Sequence, residues 1–98
     1  MQNTKKRIFS DYEENNPISY TNFSYSLDTT ACGLEPSVFL YKNGESNLFY
    51  NATIISTTSD LLNYPPEGYY ACYDGVSNTI ISRYWNGFEF IGSPNVCA

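Results

Sequence analysis

The sequence predicts an all-β protein: a small antiparallel meander forming a sandwich or open barrel of six to seven strands, with an extended N-terminal arm. Three observations carry this reading. Charged residues make up only 15% of the 98-residue chain and aromatics 17%, including ten Tyr and six Phe. Ser, Thr, Asn and Tyr fill the space that charge leaves, a composition suited to strands and turns rather than solvated helices. Three dipeptides of hairpin type, Asn43-Gly44, Asp74-Gly75 and Asn86-Gly87, sit between apolar runs, and Asn-Gly and Asp-Gly supply the positive φ angles of tight hairpin turns. No apolar periodicity of 3.6 extends beyond a single turn.

Residues 1–17 read as the arm and residues 18–98 as one β domain. The arm holds three of the five bases (Lys5, Lys6, Arg7) and three of the ten acids (Asp11, Glu13, Glu14), with few large apolar residues to anchor it. Ile18 to Leu27 follows as a strand, because Phe23, Tyr25 and Leu27 alternate with Asn22, Ser24 and Ser26 and a period of two buries one face. Asp28 to Pro36 reads as a connection. Val38 to Lys42 is expected to pair with Glu45 to Tyr50 across Asn43-Gly44, setting Lys42 opposite Glu45. Asn51 to Thr57 should extend as a strand. Ser59 to Leu62 is expected to make at most one helical turn, before Pro65-Pro66 breaks regular structure. Gly68 to Tyr73 should pair with Val76 to Ile81 across Asp74-Gly75. Ser82 to Trp85 should pair with Phe88 to Ile91 across Asn86-Gly87, so that Trp85 faces Phe88.

Charge and residue types narrow the function. A formal net charge of −5 argues against nucleic acid as a partner, since phosphate binding needs a basic face, and against an anionic membrane surface. No apolar run approaches the roughly 20 residues of a helical span. The basic start lacks a following apolar stretch, so it is not read as a secretory signal; the expectation is residence in the maker's cytoplasm or exit by another route. There is no His, the commonest general base. Glu35, Glu45, Asp60, Glu67, Asp74 and Glu89 each have a structural explanation at a turn or on a solvent face, so the chain is read as non-enzymatic, with no cofactor and no metal. Three cysteines, Cys32, Cys72 and Cys97, form an odd count, which favours three reduced thiols. The alternative is one bridge, Cys32 to Cys97, in an oxidising space.

The surplus of rings is the main binding cue, because a thin core cannot hide all of them and Tyr and Trp are enriched at protein interfaces. Tyr70, Tyr73, Tyr84 and Trp85 are the expected display face. Lys5, Lys6, Arg7, Ile8 and Phe9 are the expected attachment segment of the arm.

The segment from Cys32 to Cys97 contains PSVFLYKNGE, EGYYACYDG and SRYWNGFEFIGSPNVC. It resembles small β-modules at the ends of tail, fibre and decoration proteins from phages and other assemblies of Bacteroidota. These show an early Cys, a Gly-Tyr-Tyr strand ending in a short turn, a further hairpin and a closing Cys, places taken here by Cys32, Gly68-Tyr69-Tyr70, Asp74-Gly75 and Cys97. Cys72 is an additional cysteine outside that pattern, and the arm has no counterpart in it. The resemblance implies a virion component, made in the host bacterial cytoplasm, that contacts capsid or tail subunits and forms a homo-oligomer. A glycan- or receptor-binding module and an inhibitor of a host defence protein are the alternatives. Deleting Met1 to Asn16 is expected to abolish assembly while circular dichroism still reports a folded β domain; normal assembly of the truncated chain would remove the arm from the account.

Overall fold

The computed structural model describes residues 17–45 and 47–97. Six strands, β1 (Ile18–Ser26), β2 (Val38–Asn43), β3 (Ile55–Ser56), β4 (Gly68–Asp74), β5 (Thr79–Trp85) and β6 (Phe90–Val96), form one antiparallel sheet in the order β3-β2-β1-β4-β5-β6. The sheet curls into a half-barrel, so the open-barrel form of the expectation is the one adopted. β1 produces the curl. Its first six residues pair with β2, from Ile18↔Asn43 to Phe23↔Val38, and its last three pair with β4, from Ser24↔Ala71 to Ser26↔Tyr69. One strand thereby serves two neighbours in succession along its length.

The period of two sorts the side chains. Phe23, Leu40, Tyr70, Ile81 and Trp85 are buried on the concave face and form the core with Phe49, Ala52 and Ile55. On the convex face a row of small buried residues, Ser24, Ala71 and Ser82, runs across three strands in register. The 27–37 connection lies on this row. Ser24 Oγ donates to the Leu34 carbonyl at 2.7 Å, Ser82 Oγ donates to the Thr30 carbonyl, and Ala31 is buried beneath. Small side chains are needed here because a backbone, rather than a side chain, packs against the sheet.

The cysteine expectation is corrected. Cys32 and Cys97 are joined in a disulfide with Cα atoms 5.6 Å apart, and only Cys72 is free and buried. The bridge fastens the 27–37 connection to the end of β6.

Turn signals locate hairpins better than they set register. Two of the three dipeptides mark tight hairpins, but both loops have four residues. Asp74 pairs with Thr79, and the positive φ falls at Asn78 (59°) rather than Gly75, because the Asp74 carboxylate accepts the Ser77 N–H at 2.9 Å and reshapes the turn. Trp85 pairs with Phe90 instead of Phe88, since the Asn86 carboxamide accepts from the Phe88 and Glu89 N–H groups and draws both into the loop. Asn43-Gly44 makes no hairpin. Residues after it form an irregular loop, and β2 instead pairs with β1 and β3. The strand expected over Asn51–Thr57 contracts to the two residues of β3. The expected helical turn does not form: Leu61 takes a left-handed φ of 63°, and the Asp60 carboxylate accepts from the Leu62 N–H and the Thr58 hydroxyl.

The Gly68 end of β4 is closed by the Pro65-Pro66-Glu67 segment. Two core aromatics and the partly buried Tyr25 packed against them donate to its successive carbonyls: Trp85 Nε1 to Pro65 at 3.2 Å, Tyr70 Oη to Pro66 at 2.7 Å and Tyr25 Oη to Glu67 at 2.6 Å. Burying these rings therefore leaves no polar tip unpaired. Gly68 adopts φ +147°, and a Cβ there would sit 2.5 Å from the Tyr25 ring, so only glycine allows the segment to enter β4 so close to that ring.

Reducing the disulfide should lower unfolding stability by about 4 kcal/mol, the chain-entropy value for a loop of this length. Urea midpoints with and without reductant test this, and coincident midpoints would remove the bridge from the fold's stability.

Candidate docking surface

The Asp74 end of β4 is closed by the 45–54 loop, and charged side chains hold it there. Alternation places Lys42 after Leu40, Asp74 after Cys72, and Arg83 between Ile81 and Trp85, all on the concave face. Lys42 is 0% exposed; its Nζ donates to the Leu48 carbonyl at 2.7 Å and to the Glu45 carbonyl. The expected Lys42–Glu45 cross-strand ion pair is thus replaced by a bond to the Glu45 backbone. Arg83 Nη1 donates to the Phe49 carbonyl at 3.1 Å and to the Ala52 carbonyl, while its Cζ lies 4.2 Å from the Phe90 ring centroid, within cation–π range. Asp74 Oδ1 accepts the Phe49 and Tyr50 N–H groups at 2.6 and 3.0 Å. The Asn43 carboxamide accepts the Thr53 and Ile54 N–H groups. An irregular backbone covering a core has no ladder to satisfy its polar groups, and these four side chains take the place of one.

The titration behaviour follows. Burial works to raise the Asp74 pKa, but the bonds from the Phe49, Ser77 and Tyr50 N–H groups and the Ser77 hydroxyl outweigh it and hold the carboxyl at about 2. Burial lowers the Lys42 pKa, partly offset by Cys72, Asp74 and Glu45. Burial pushes the Cys72 thiol up to about 12, so the free cysteine is a poor nucleophile.

With the loop fixed, a cleft of about 360 Å³ opens between it and the β4–β5 turn, lined by Leu48, Tyr50, Asn51, Ala52, Asp74, Val76 and Ser77. The Gly75 N–H donates to the Asn47 carbonyl at 2.6 Å, pinning the two walls together. Val76 is 81% exposed at its mouth.

The convex face carries a second feature. Tyr20 lies 5.2 Å from Phe39 and 4.6 Å from Tyr41, centroid to centroid, and Tyr20 and Phe39 are 57% and 56% exposed. Adjacent paired strands hold this platform. The alternation that assigns Phe23 and Tyr25 to the core assigns Tyr20 to the opposite face, so its exposure was readable, whereas the stacking partners depend on β1–β2 register.

The expected display face divides. Tyr73 is exposed and half-buried Tyr84 pairs with Tyr69 at 5.0 Å on the convex side; the Tyr84 hydroxyl donates to Glu67 Oε2 at 2.8 Å. Tyr70 and Trp85 are fully buried on the concave side and cannot display anything, because neighbouring residues of a strand face opposite ways. Lys5, Lys6, Arg7, Ile8 and Phe9 lie outside the described residues.

All exposed charges among the described residues are acidic: Asp28, Glu35, Glu45, Asp60, Glu67 and Glu89. The two described cations, Lys42 and Arg83, are committed to loop carbonyls. No family model, curated protein or solved structure matches this chain.

Replacing Asp74 by Asn should destabilise the protein by about 2 kcal/mol, because charge-assisted bonds are lost and an amide N–H₂ faces backbone donors. The Asp74 carboxyl titrates lower in the folded chain than its usual value of about 3.9. Its contribution is therefore complete above that value and is lost as pH falls towards 2. Urea melts across this range should show the loss attributable to Asp74 in the parent and not in the Asp74→Asn variant; identical pH profiles would contradict it.

Proposed function

We propose that this chain is a non-enzymatic structural protein of a bacteriophage virion, a capsid decoration, head-fibre or tail component that acts through contacts with capsid or tail subunits and with copies of itself. The observation that carries the reading is the Tyr20–Phe39–Tyr41 platform on two firmly paired strands: exposed Tyr20 stacks on exposed Phe39 and tilts against half-buried Tyr41. Contiguous exposed rings on a fixed backbone supply interface area at little cost in ordering. The exposed charges of the described residues, all acidic, add direction, since they favour basic partner surfaces and oppose haphazard self-contact. The charged side chains of the concave face serve the fold: Lys42, Asp74 and Arg83 are each engaged with loop backbone.

The test is incorporation. Particles purified from cells that produce the chain should contain it by mass spectrometry. A Tyr20→Ser/Phe39→Ser variant should be depleted from particles while keeping the parent's melting temperature. Particles free of the chain would refute the virion reading, and full incorporation of the double variant would acquit the platform.

A further inference from the structure

We infer that the cleft between the 45–54 loop and the β4–β5 turn receives the Lys5–Phe9 segment of a second copy of this chain. The inference deepens the assembly reading and rests on its self-association. The cleft offers apolar walls from Leu48, Tyr50, Ala52 and Val76, and the exposed charges of the described domain are all acidic. Its occupant should therefore combine large apolar side chains with cations drawn to that acidic surface.

Charge complementarity selects that occupant. The β domain holds two bases against seven acids, which accounts for the whole net charge of −5. Two such domains approaching each other repel. Lys42 and Arg83 cannot relieve this, since both are spent on loop carbonyls. The remaining bases of the sequence are Lys5, Lys6 and Arg7, and Ile8 and Phe9 follow them directly. The segment that carries the other three cations of the sequence thus also carries two adjacent apolar side chains of the kind the cleft would bury.

Chain sequence also favours the second copy over the same molecule. Asp11, Glu13 and Glu14 lie between Phe9 and Pro17. The arm joins the domain where the Gly44 N–H donates to the Pro17 carbonyl, at the foot of the 45–54 loop. A return within one molecule would lay those three acids beside Glu45 and the acidic domain. Docking on a neighbour spreads them between two molecules, and the eight residues from Phe9 to Pro17 span up to about 26 Å when extended.

Complementation between two full-length variants tests this by sedimentation velocity. One carries Lys5→Glu/Lys6→Glu/Arg7→Glu and keeps the cleft. The other carries Val76→Lys, a change at an exposed position, and keeps the arm. The parent should self-associate more weakly as salt rises, and each variant alone should associate about tenfold or more weakly than the parent. Mixed in equal amounts, the two should form a 1:1 heterodimer, since one supplies an intact arm and the other an intact cleft. A monomeric parent, undiminished association of either variant, or a mixture that stays monomeric would each overturn the inference. Particles that contain the chain alongside a monomeric mixture would leave the virion reading standing and remove this one; heterodimers from a chain absent from particles would do the reverse.

Discussion

The fold depends on satisfying the backbone of one irregular loop inside a low-dielectric setting. A half-barrel of six strands leaves its concave face open, and the 45–54 loop closes one end by burying Phe49 and Ala52. Loops rarely enter cores because their N–H and C=O groups lose water without gaining partners. Here Lys42 and Arg83 supply donors, Asp74 supplies an acceptor, and Asn43 lends its carboxamide to the last residues. Each charge is spread over several backbone groups, which is the condition under which a buried ion is tolerable. The opposite end uses the same logic without charge: three aromatic tips answer three consecutive carbonyls of a proline-rich segment that has few donors to offer.

Those two closures explain how much could be read in advance. Strand content, the core face of β1 and the existence of the last two hairpins were legible, because period-two alternation and turn residues act locally. Register was not, since it hangs on side chains that re-route turns: Asp74 and Asn86 each widen a nominal two-residue turn to four. The loop after Asn43-Gly44 departs from the expected hairpin for a related reason. The dipeptide has hairpin chemistry, yet Lys42 donates to the Glu45 and Leu48 carbonyls and Asn43 accepts the Thr53 and Ile54 N–H groups, contacts that hold a loop in place of a tight turn. Lys42, Asp74 and Arg83 did occupy inward positions in the alternation, but a charge in a strand is ordinarily read as a solvent marker.

The surface follows from the same allocation. Because both described cations serve the interior, the exterior of the described residues is left with carboxylates, packed rings and an apolar cleft. The site expected at Tyr70, Tyr73, Tyr84 and Trp85 scattered because adjacent residues of a strand cannot share a face. Tyr20, Phe39 and Tyr41 gather because β1 and β2 pair them across neighbouring positions on one side.

The disulfide also decides how the molecule carries load. The shortest covalent path from Pro17 to Cys97 runs along β1 to Cys32 and then crosses the bridge, bypassing the 65 positions of separation between the two cysteines. Tension applied between those points bears on β1 and the start of the 27–37 connection, while β2 to β6 hang outside the line of force. The first event under pulling is therefore β1 shearing from β2 and β4, and the remaining strands stay within a closed covalent ring that force cannot lengthen.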